Sequence, residues 1–363
     1  MELRGLDAWL HCALAPSLSL GRWLALLQRW GEPENALAAG AGALSELLGA
    51  ERANGLLTFD SRAGRDAVRD WLAGGAQRQV LRLDDSDYPT PLLNIPMPPP
   101  LLFLHGRREL LQRPMLAVVG SRHASVQGAR TAESWAQALG EAGLTIVSGM
   151  AAGIDAAAHA GALRTAASSV AVIGTGIDRI YPASNQALAR QLAQDGLIVS
   201  EFPLGARPLA QHFPRRNRLI AGLSLGCLVV EASLKSGSLI TGRLAAEYGR
   251  EVFAVPGSIH SPQAKGCHRL IRDGAKLVDG LDDIMQELNL PAIRQASREA
   301  AADTPNDGNE DPLLAAMGFD PIDADSLCQR LGLTADVLSA MLLRLEMAGQ
   351  LETLPGGRYQ RTA

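Results

Sequence analysis

Residues 145–155 read TIVSGMAAGID, a short apolar run that ends in a loop of glycine and alanine. The same pattern recurs at residues 116–122, which read LAVVGSR, and at residues 170–178, which read VAVIGTGID. Short apolar runs bounded by glycine are typical of buried strands, and small residues after a strand let a ligand approach the backbone closely. Together the three segments predict a parallel sheet that binds a ligand at the edge where its strands end.

The rest of the central region repeats this alternation. Further apolar runs lie at 197–199, 227–230 and 252–255, and stretches with helical spacing, such as 126–142 and 240–248, separate most of the runs. Strands separated by helices cannot be hairpin neighbours, so crossover connections must join them. The pattern predicts an α/β fold with a Rossmann-like, doubly wound, mostly parallel sheet.

The regions on either side of the sheet have other patterns. Helical spacing near the N-terminus predicts an all-helical, SAM-like domain over 1–78, followed by the Rossmann-like domain over 79–290. Residues 291–311 lose apolar periodicity and predict a linker. Residues 312–363 show three helical segments and a hairpin, which is the pattern of a winged-helix domain.

Composition limits the functional classes. The formal net charge is −4, so binding of nucleic acid would have to depend on local clusters of arginine. The four cysteines form no CxxC pair, which predicts free thiols and no metal site. No apolar run reaches the roughly 20 residues of a membrane span, and Glu2, Arg4 and Asp7 interrupt the start. We therefore expect a cytoplasmic protein with no membrane partner.

The loops after the strands carry the features of an anion site. The backbone N–H groups of these loops and the N-termini of the following helices attract anions. The guanidinium of Arg122 adds a group that can bind a phosphate through two hydrogen bonds. A single glycine loop is as well explained by a tight turn, but three in succession favour a ligand. Residues 213–222 place three arginines before an apolar helical face, and 235–241 offer Lys235 and three hydroxyls at a helix start. A solvated basic helix and a plain N-cap are the alternatives for these two segments.

The combination of motifs resembles one known family. Segments 120–122, 149–155, 213–218 and 236–241, in this order, with Val255-Pro256-Gly257 after them, resemble the DNA-processing protein A (DprA, Smf) family. The resemblance implies a protein of natural transformation that binds incoming single-stranded DNA, protects it, and helps to load the RecA recombinase onto it. It also implies a homodimer that acts by binding rather than by catalysis, with no cofactor and no catalytic residues.

The resemblance also implies functional residues. Arg122 would be the principal phosphate contact, and Tyr181 would stack on a base or pack under its loop. A dimer face is expected at Leu270, Ile271 and Leu277, although Gly266-Cys267-His268 departs from the Gly-Ser-Asn form of many members. The expected DNA-binding set is Gly120, Ser121, Arg122, Gly149, Gly153, Gly174, Gly176, Tyr181, Asn185, Arg216, Asn217, Arg218, Lys235, Ser236, Gly237, Ser238 and Thr241.

Two other classes of function stay open at this point. A nucleotide-processing enzyme of the phosphoribohydrolase type would share the fold, but its PGGxGT segment is absent. His159 has the position of a catalytic base, but the sequence shows no nucleophile for it to activate. An acidic residue at a helix start, such as Asp155, is explained by its favourable interaction with the helix dipole. A winged-helix regulator is the other class, yet helix 334–348 carries a single basic residue, Arg344. Binding of a partner, or weak contact with duplex DNA, is the expectation for the tail.

Overall fold

The computed structural model describes residues 3–288 and 311–361. These two parts belong to two compact units, one ending near residue 294 and one beginning there. The predicted linker, apart from Asp311, lies outside the described residues. Asp311 itself accepts a hydrogen bond from the backbone N–H of Leu313 and caps the first helix of the second unit.

A nine-stranded sheet forms the centre of the first unit, as described between residues 3 and 288. Its strands stand in the order β1-β2-β6-β5-β4-β3-β7-β8-β9. The pairs from β6 to β9 are parallel, whereas β1 and β2 are antiparallel to their neighbours. The strands are β1 Arg78–Arg82, β2 Leu101–Gly106, β3 Met115–Val119, β4 Thr145–Ser148, β5 Ser169–Val172, β6 Leu197–Ser200, β7 Gly226–Val229, β8 Glu251–Ala254 and β9 Lys276–Leu277.

The predicted mostly parallel, doubly wound α/β fold is confirmed. The chain winds outward from β3 in one direction through β4, β5 and β6, and then in the other through β7, β8 and β9. Strands β3 and β7 are therefore neighbours whose following helices diverge. Ligands of open α/β sheets bind at such a switch point, outside the carboxyl ends of the strands.

Helices cover both faces of this sheet, since each central strand is buried on both sides. Two short 3₁₀ turns lie at Arg108–Gln112 and Ala183–Asn185. The helices of the first unit are α1 Leu6–Leu14, α2 Leu20–Trp30, α3 Pro33–Ala38, α4 Gly40–Leu48, α5 Ala50–Thr58, α6 Arg62–Ala73, α7 Thr90–Leu93, α8 Val126–Glu141, α9 Ile154–Ala162, α10 Gln186–Asp195, α11 His212–Leu223, α12 Ser238–Glu247, α13 Lys265–Arg272 and α14 Leu281–Glu287.

The N-terminal helices α1 to α6 are as predicted, but they share a core with the sheet. Trp71 of α6 meets the ring of Phe103 of β2 edge-on, with 6.1 Å between ring centres. One continuous apolar cluster joins Leu26 and Leu56 of the helices to Ile198 of β6. The helical segment thus covers part of one sheet face, and it belongs to the same compact unit.

The second unit has the predicted winged-helix pattern. Its helices are α15 Pro312–Met317, α16 Ala324–Leu331 and α17 Ala335–Met347, and its hairpin is β11 Leu351–Leu354 with β12 Arg358–Arg361. A strand not foreseen from the sequence, β10 Ile322–Asp323, pairs with β12. Leu327, Leu338, Leu342 and Leu351 are among the residues of its own core.

Over residues 3–288 and 311–361, every helix is too short or too polar to cross a lipid bilayer.

Candidate functional site

A cavity of about 650 Å³ opens at the carboxyl edge of the sheet, where the loops after β3 and β7 lie side by side. The loop after β4 and the start of α11 complete its wall. Of the residues expected from the sequence, the lining contains Gly120, Ser121, Arg122, Tyr181, Arg216, Asn217, Lys235, Ser236, Gly237, Ser238 and Thr241. The position is the switch point that the strand order predicts for a ligand.

Glycines let the loops after β3 and β4 interlock. Gly153 has a φ of 77°, and a Cβ placed on it would lie 2.3 Å from the carbonyl oxygen of Ser121. That carbonyl accepts a hydrogen bond from the backbone N–H of Ile154 at 3.1 Å. A Cβ on Gly120 would lie 2.6 Å from the Ile154 side chain. These glycines therefore serve loop-to-loop packing, and the two loops hold each other in place.

Arg122 stands on the rim of the cavity with an exposed side chain. Its guanidinium carbon lies 5.3 Å from the ring centre of Phe213, which is a cation–π distance. Phe213 in turn lies 5.7 Å from the ring of Tyr181, a residue that is 43% exposed. Within the described chain, no carboxylate forms an ion pair with Arg122, so its charge is available to a ligand.

Arg216 is different, because only 5% of it is exposed. Its Nη1 donates to the carbonyl oxygen of Gly149 at 2.5 Å and also to that of Val172. It thereby ties the loop after β4 to β5. Burial lowers the pKa of Arg216 to about 10, although the carboxylate of Asp155 opposes this shift.

Asp155 organises the loop after β4 from the start of α9. Its Oδ2 accepts hydrogen bonds from the backbone N–H groups of Gly149 at 3.1 Å and Ala151 at 3.3 Å. Burial raises the pKa of this carboxyl, while Arg216 and the backbone N–H groups act in the opposite direction. The sequence alone explained Asp155 by the helix dipole, whereas the structure adds a role in loop geometry.

His159 is fully buried and has only structural partners among the described residues. Its Nε2 accepts the backbone N–H of Met150 at 3.2 Å, so Nδ1 carries the proton and faces the Ser169 hydroxyl at 2.7 Å. Burial, together with the charge of Arg216, lowers the pKa of His159 to about 3. A neutral ring with both nitrogens engaged is a support for the loop.

The loop after β7 supplies hydroxyls and a second exposed cation. Ser236 and Ser238 hydroxyl oxygens lie 2.7 Å apart at the start of α12. Asn217 donates from Nδ2 to the carbonyl oxygen of Gly237 at 3.3 Å and so joins α11 to this loop. Lys235 is exposed at the cavity. No described acidic group lies within ion-pair distance of it.

The other expected residues lie outside the lining. Arg218 forms an ion pair with Glu201, whose side chain is 2% exposed, and also donates to the Met97 carbonyl oxygen. Asn185 donates to the carbonyl oxygens of Met150 and Ala151 and so supports the loop after β4. Gly149, Gly153, Gly174 and Gly176 form the loops behind the surface.

Two features of the site were not identified from the sequence. Phe213 contributes an aromatic wall, and its signal was its place directly before Pro214 and the three arginines. No local sequence pattern marks Glu201, because it forms ion pairs with Arg215 and Arg218, which belong to a separate element.

The three residues of the expected dimer face differ in their exposure. Leu270 is only 6% exposed and belongs to the core of the first unit, so it has little surface left for a partner. Ile271 packs partly against the same core. Leu277 lies on the edge strand β9 and is 46% exposed, and it is thus the member of the set that remains accessible.

Comparison with known proteins gives a consistent result. The family model of DNA recombination-mediator protein A matches residues 79–289, and that of the DprA winged helix domain matches 295–357. Protein Smf of Escherichia coli K12 is 42% identical over 290 residues, which are 77% of this chain and 76% of that protein. DNA processing protein DprA of Streptococcus pneumoniae R6 is 51% identical over 205 residues, 56% of this chain and 72% of that protein.

Solved structures of proteins from the same family are also similar to this chain. The X-ray structure of DprA from Streptococcus pneumoniae matches with a TM-score of 0.69 and 38% identity, over 79% of this chain and 99% of that one. A Helicobacter pylori DprA structure, which concerns that protein's single-stranded DNA binding mode, matches with a TM-score of 0.53 and 30% identity, over 58% of this chain and 95% of that one. Because a family model covers more than half of the chain and relatives align over most of it, the chain belongs to the DNA recombination-mediator protein A (DprA, Smf) family.

Proposed function

We propose that this protein binds single-stranded DNA in the cavity at the carboxyl ends of β3 and β7. The observation that carries the proposal is the pair of exposed cations there, Arg122 and Lys235, neither of which has an ion-pair partner among the described residues. The start of α12 and the hydroxyls of Ser236 and Ser238 add donors that suit a phosphate. The single-stranded DNA binding mode of the Helicobacter pylori relative supports the same ligand class.

The shape of the site favours a single strand over a duplex. A cavity of about 650 Å³ accommodates a few nucleotides but no double helix. Tyr181 and Phe213 offer aromatic surface beside Arg122, and unpaired bases stack on such surfaces without regard to sequence. Sequence-independent binding is therefore the expected behaviour.

The family extends the proposal to the role in the cell. We infer a homodimeric cytoplasmic protein of natural transformation that protects the incoming strand and helps to load RecA onto it. Binding rather than catalysis agrees with the roles of Asp155 and His159, whose side chains accept hydrogen bonds from the backbone N–H groups of the loop after β4 and so fix its shape.

The test is the salt dependence of affinity for a fluorescent oligo-dT. Each phosphate contact contributes about 0.7 to the slope of log affinity against log salt, so Arg122→Ala should flatten the slope by about that amount. Loss of charge-assisted hydrogen bonds worth about 1.5–3 kcal/mol should weaken binding by about 10- to 100-fold. Arg62→Ala, which removes an exposed arginine of α6 outside the cavity lining, is the matched control and should bind like the unaltered protein.

The enzymatic alternative gives the opposite pattern. If nucleoside monophosphates released free base in the presence of the protein while oligo-dT affinity were unaffected by Arg122→Ala, the cavity would be a nucleotide-processing site. Equal salt slopes for the Arg122 and Arg62 variants would also rule out Arg122 as a phosphate contact.

A further inference from the structure

Helix α17 of the winged-helix unit has apolar side chains on two opposite faces. Leu338, Leu342 and Leu345 are buried in the core of the unit. On the side that faces solvent, Leu343 is 59% and Met347 83% exposed. Large apolar side chains exposed close together on the outer side of a helix are typical of a surface that packs against a partner, so the outer face has the character of an interaction surface.

The charge of the unit argues against a nucleic acid on this face. Residues 311–361 contain seven acidic residues, four arginines and no lysine. On α17 the single arginine, Arg344, pairs with Asp311, and Asp336 and Glu346 add negative charge. Affinity for a duplex depends on cations that neutralise phosphates, and this helix has almost none to offer. A protein surface is the better match.

The outer face of α17 is symmetric in its chemistry about Ala340. Asp336 lies four residues before Ala340 and Arg344 four residues after it. Val337 and Leu343, three residues before and after, are 48% and 59% exposed. Opposite charges at equal distances from a small central residue are what an antiparallel pair of identical helices needs, because a two-fold axis brings each residue opposite its mirror position.

We propose that α17 is a self-association surface, which packs antiparallel against α17 of a second copy with the two-fold axis at Ala340. Asp336 of each copy then faces Arg344 of the other, and Val337 faces Leu343. Ala340 meets itself on the axis, where its small side chain lets the helices approach closely. The contact with Asp311 leaves the Arg344 side chain 66% exposed, and a guanidinium has five donors, so both carboxylates can be served.

A single pair of helices buries much less than the roughly 800 Å² per partner of a standard interface, so this contact is weak by itself. It gains strength when another contact already holds two copies together, because the second contact then forms at high effective concentration. The surface belongs to the second unit, whereas the DNA cavity belongs to the first.

Cysteine crosslinking of the full chain tests the geometry. Cys328 is half-buried, whereas Cys12, Cys227 and Cys267 are buried. The Cys328→Ser protein therefore lacks the native thiol that is most accessible to the crosslinker. In it, Ala340→Cys should crosslink two copies with a short bismaleimide. Ser339→Cys is the control, since it is exposed on the same helix but points about 100° away from residue 340. Equal crosslinking at positions 339 and 340, or none at 340, overturns the proposal.

Charge exchange tests the pairing directly. Asp336→Lys and Arg344→Glu, each added to the Ala340→Cys protein, place like charges opposite each other in a pair of identical copies. Each should lower the crosslinking yield, by about tenfold if the contact is close. A mixture of the two variants should restore the yield as a mixed pair, because both contacts are then attractive. Failure of the mixture to recover, with the circular dichroism spectra of both variants unchanged as evidence of folding, would refute the proposal and leave the function of the DNA cavity untouched.

Discussion

Arginines close together in the chain have different surroundings in this protein. Arg216 lies buried beneath the cavity and holds the carbonyls of Gly149 and Val172. Arg218 is held by Glu201. Arg122, from another loop, is exposed at the cavity. A phosphate can therefore reach Arg122 without breaking an existing ion pair, whereas Arg218 would have to leave a buried carboxylate at considerable cost.

Gly153 should be the least replaceable residue of the loop after β4. Gly153→Ala forces a side chain into positive φ and against the Ser121 carbonyl, and we expect a loss of at least about 1–3 kcal/mol in the free energy of unfolding. Urea unfolding measures this. Gly42→Ala, in an exposed turn of α4 with open space around the new methyl, is the control and should stabilise by about 0.5–1 kcal/mol. Equal effects of the two substitutions would contradict the interlocked-loop geometry.

His159 should make stability dependent on pH. Above its ordinary pKa of 6.5 the ring is neutral in both the folded and the unfolded chain. As the pH falls toward the folded-state pKa of about 3, only the unfolded chain takes up the proton, so stability is lost. We expect a loss of about 2 kcal/mol between pH 7 and pH 5 from this residue.

His159→Gln should lower the free energy of unfolding at pH 7 but reduce its fall between pH 7 and pH 5. The pKa values of His11 and His105 are also lowered by burial, and their contributions cancel in the comparison because both proteins contain them. Urea midpoints at the two pH values decide the matter. Parallel losses in the two proteins would show that the ring is not held neutral.

Among the elements, α8 depends on a contact from the loop after the neighbouring strand β7. Glu231, in the loop after β7, accepts hydrogen bonds from the backbone N–H and the hydroxyl of Ser125 at 2.9 and 2.5 Å. The Ser125 hydroxyl oxygen in turn accepts the N–H of Gly128 and caps the helix. The loop that carries Arg122 is thus held at the end where α8 begins.

Glu231→Gln replaces one acceptor oxygen by an amide NH₂ and leaves a donor of Ser125 without its partner. We expect a loss of about 1–3 kcal/mol in the free energy of unfolding, and weaker oligo-dT binding because Arg122 is less well positioned. Glu247→Gln, at the exposed end of α12, should change stability by less than about 0.5 kcal/mol. Thermal unfolding compares the two, and similar shifts would argue against the cap.

The elements also show how far periodicity leads. The six parallel strands from β3 to β8 and helices such as α8 and α17 lie within one or two residues of their predicted bounds, because buried runs and amphipathic spacing are local signals. Strand β2 was not anticipated, since it directly follows Pro98-Pro99-Pro100, and prolines interrupt the patterns by which helices and central strands are recognised. Its pairing with β6, about 95 residues later in the chain, is a tertiary event with no local signature.

At the scale of the molecule, the N-terminal helices and the sheet stabilise each other. Deletion of residues 1–77 uncovers apolar residues of the sheet, including Leu101, Phe103 and Ile198. We expect the shortened protein to bind a hydrophobic dye and to unfold at a lower urea concentration. Deletion of residues 311–363 removes a unit with a separate core and should leave the midpoint of the first unit unchanged. If neither deletion lowered the urea midpoint, the core that the helices share with the sheet would not contribute to stability.

The sequence by itself determined the α/β alternation, the winged-helix pattern and the family motifs, because burial on both faces and glycine at tight turns leave local signals in the chain. Tertiary structure alone decided which motif residues face the cavity. Arg122 and Lys235 line the cavity with exposed side chains. Arg218 instead forms an ion pair with Glu201, and Asn185 supports the loop after β4 through a hydrogen bond. It also decided that the N-terminal helices share the core of the sheet. The physical reason is that burial and ion pairing depend on residues far apart in the chain, which spacing and composition do not record.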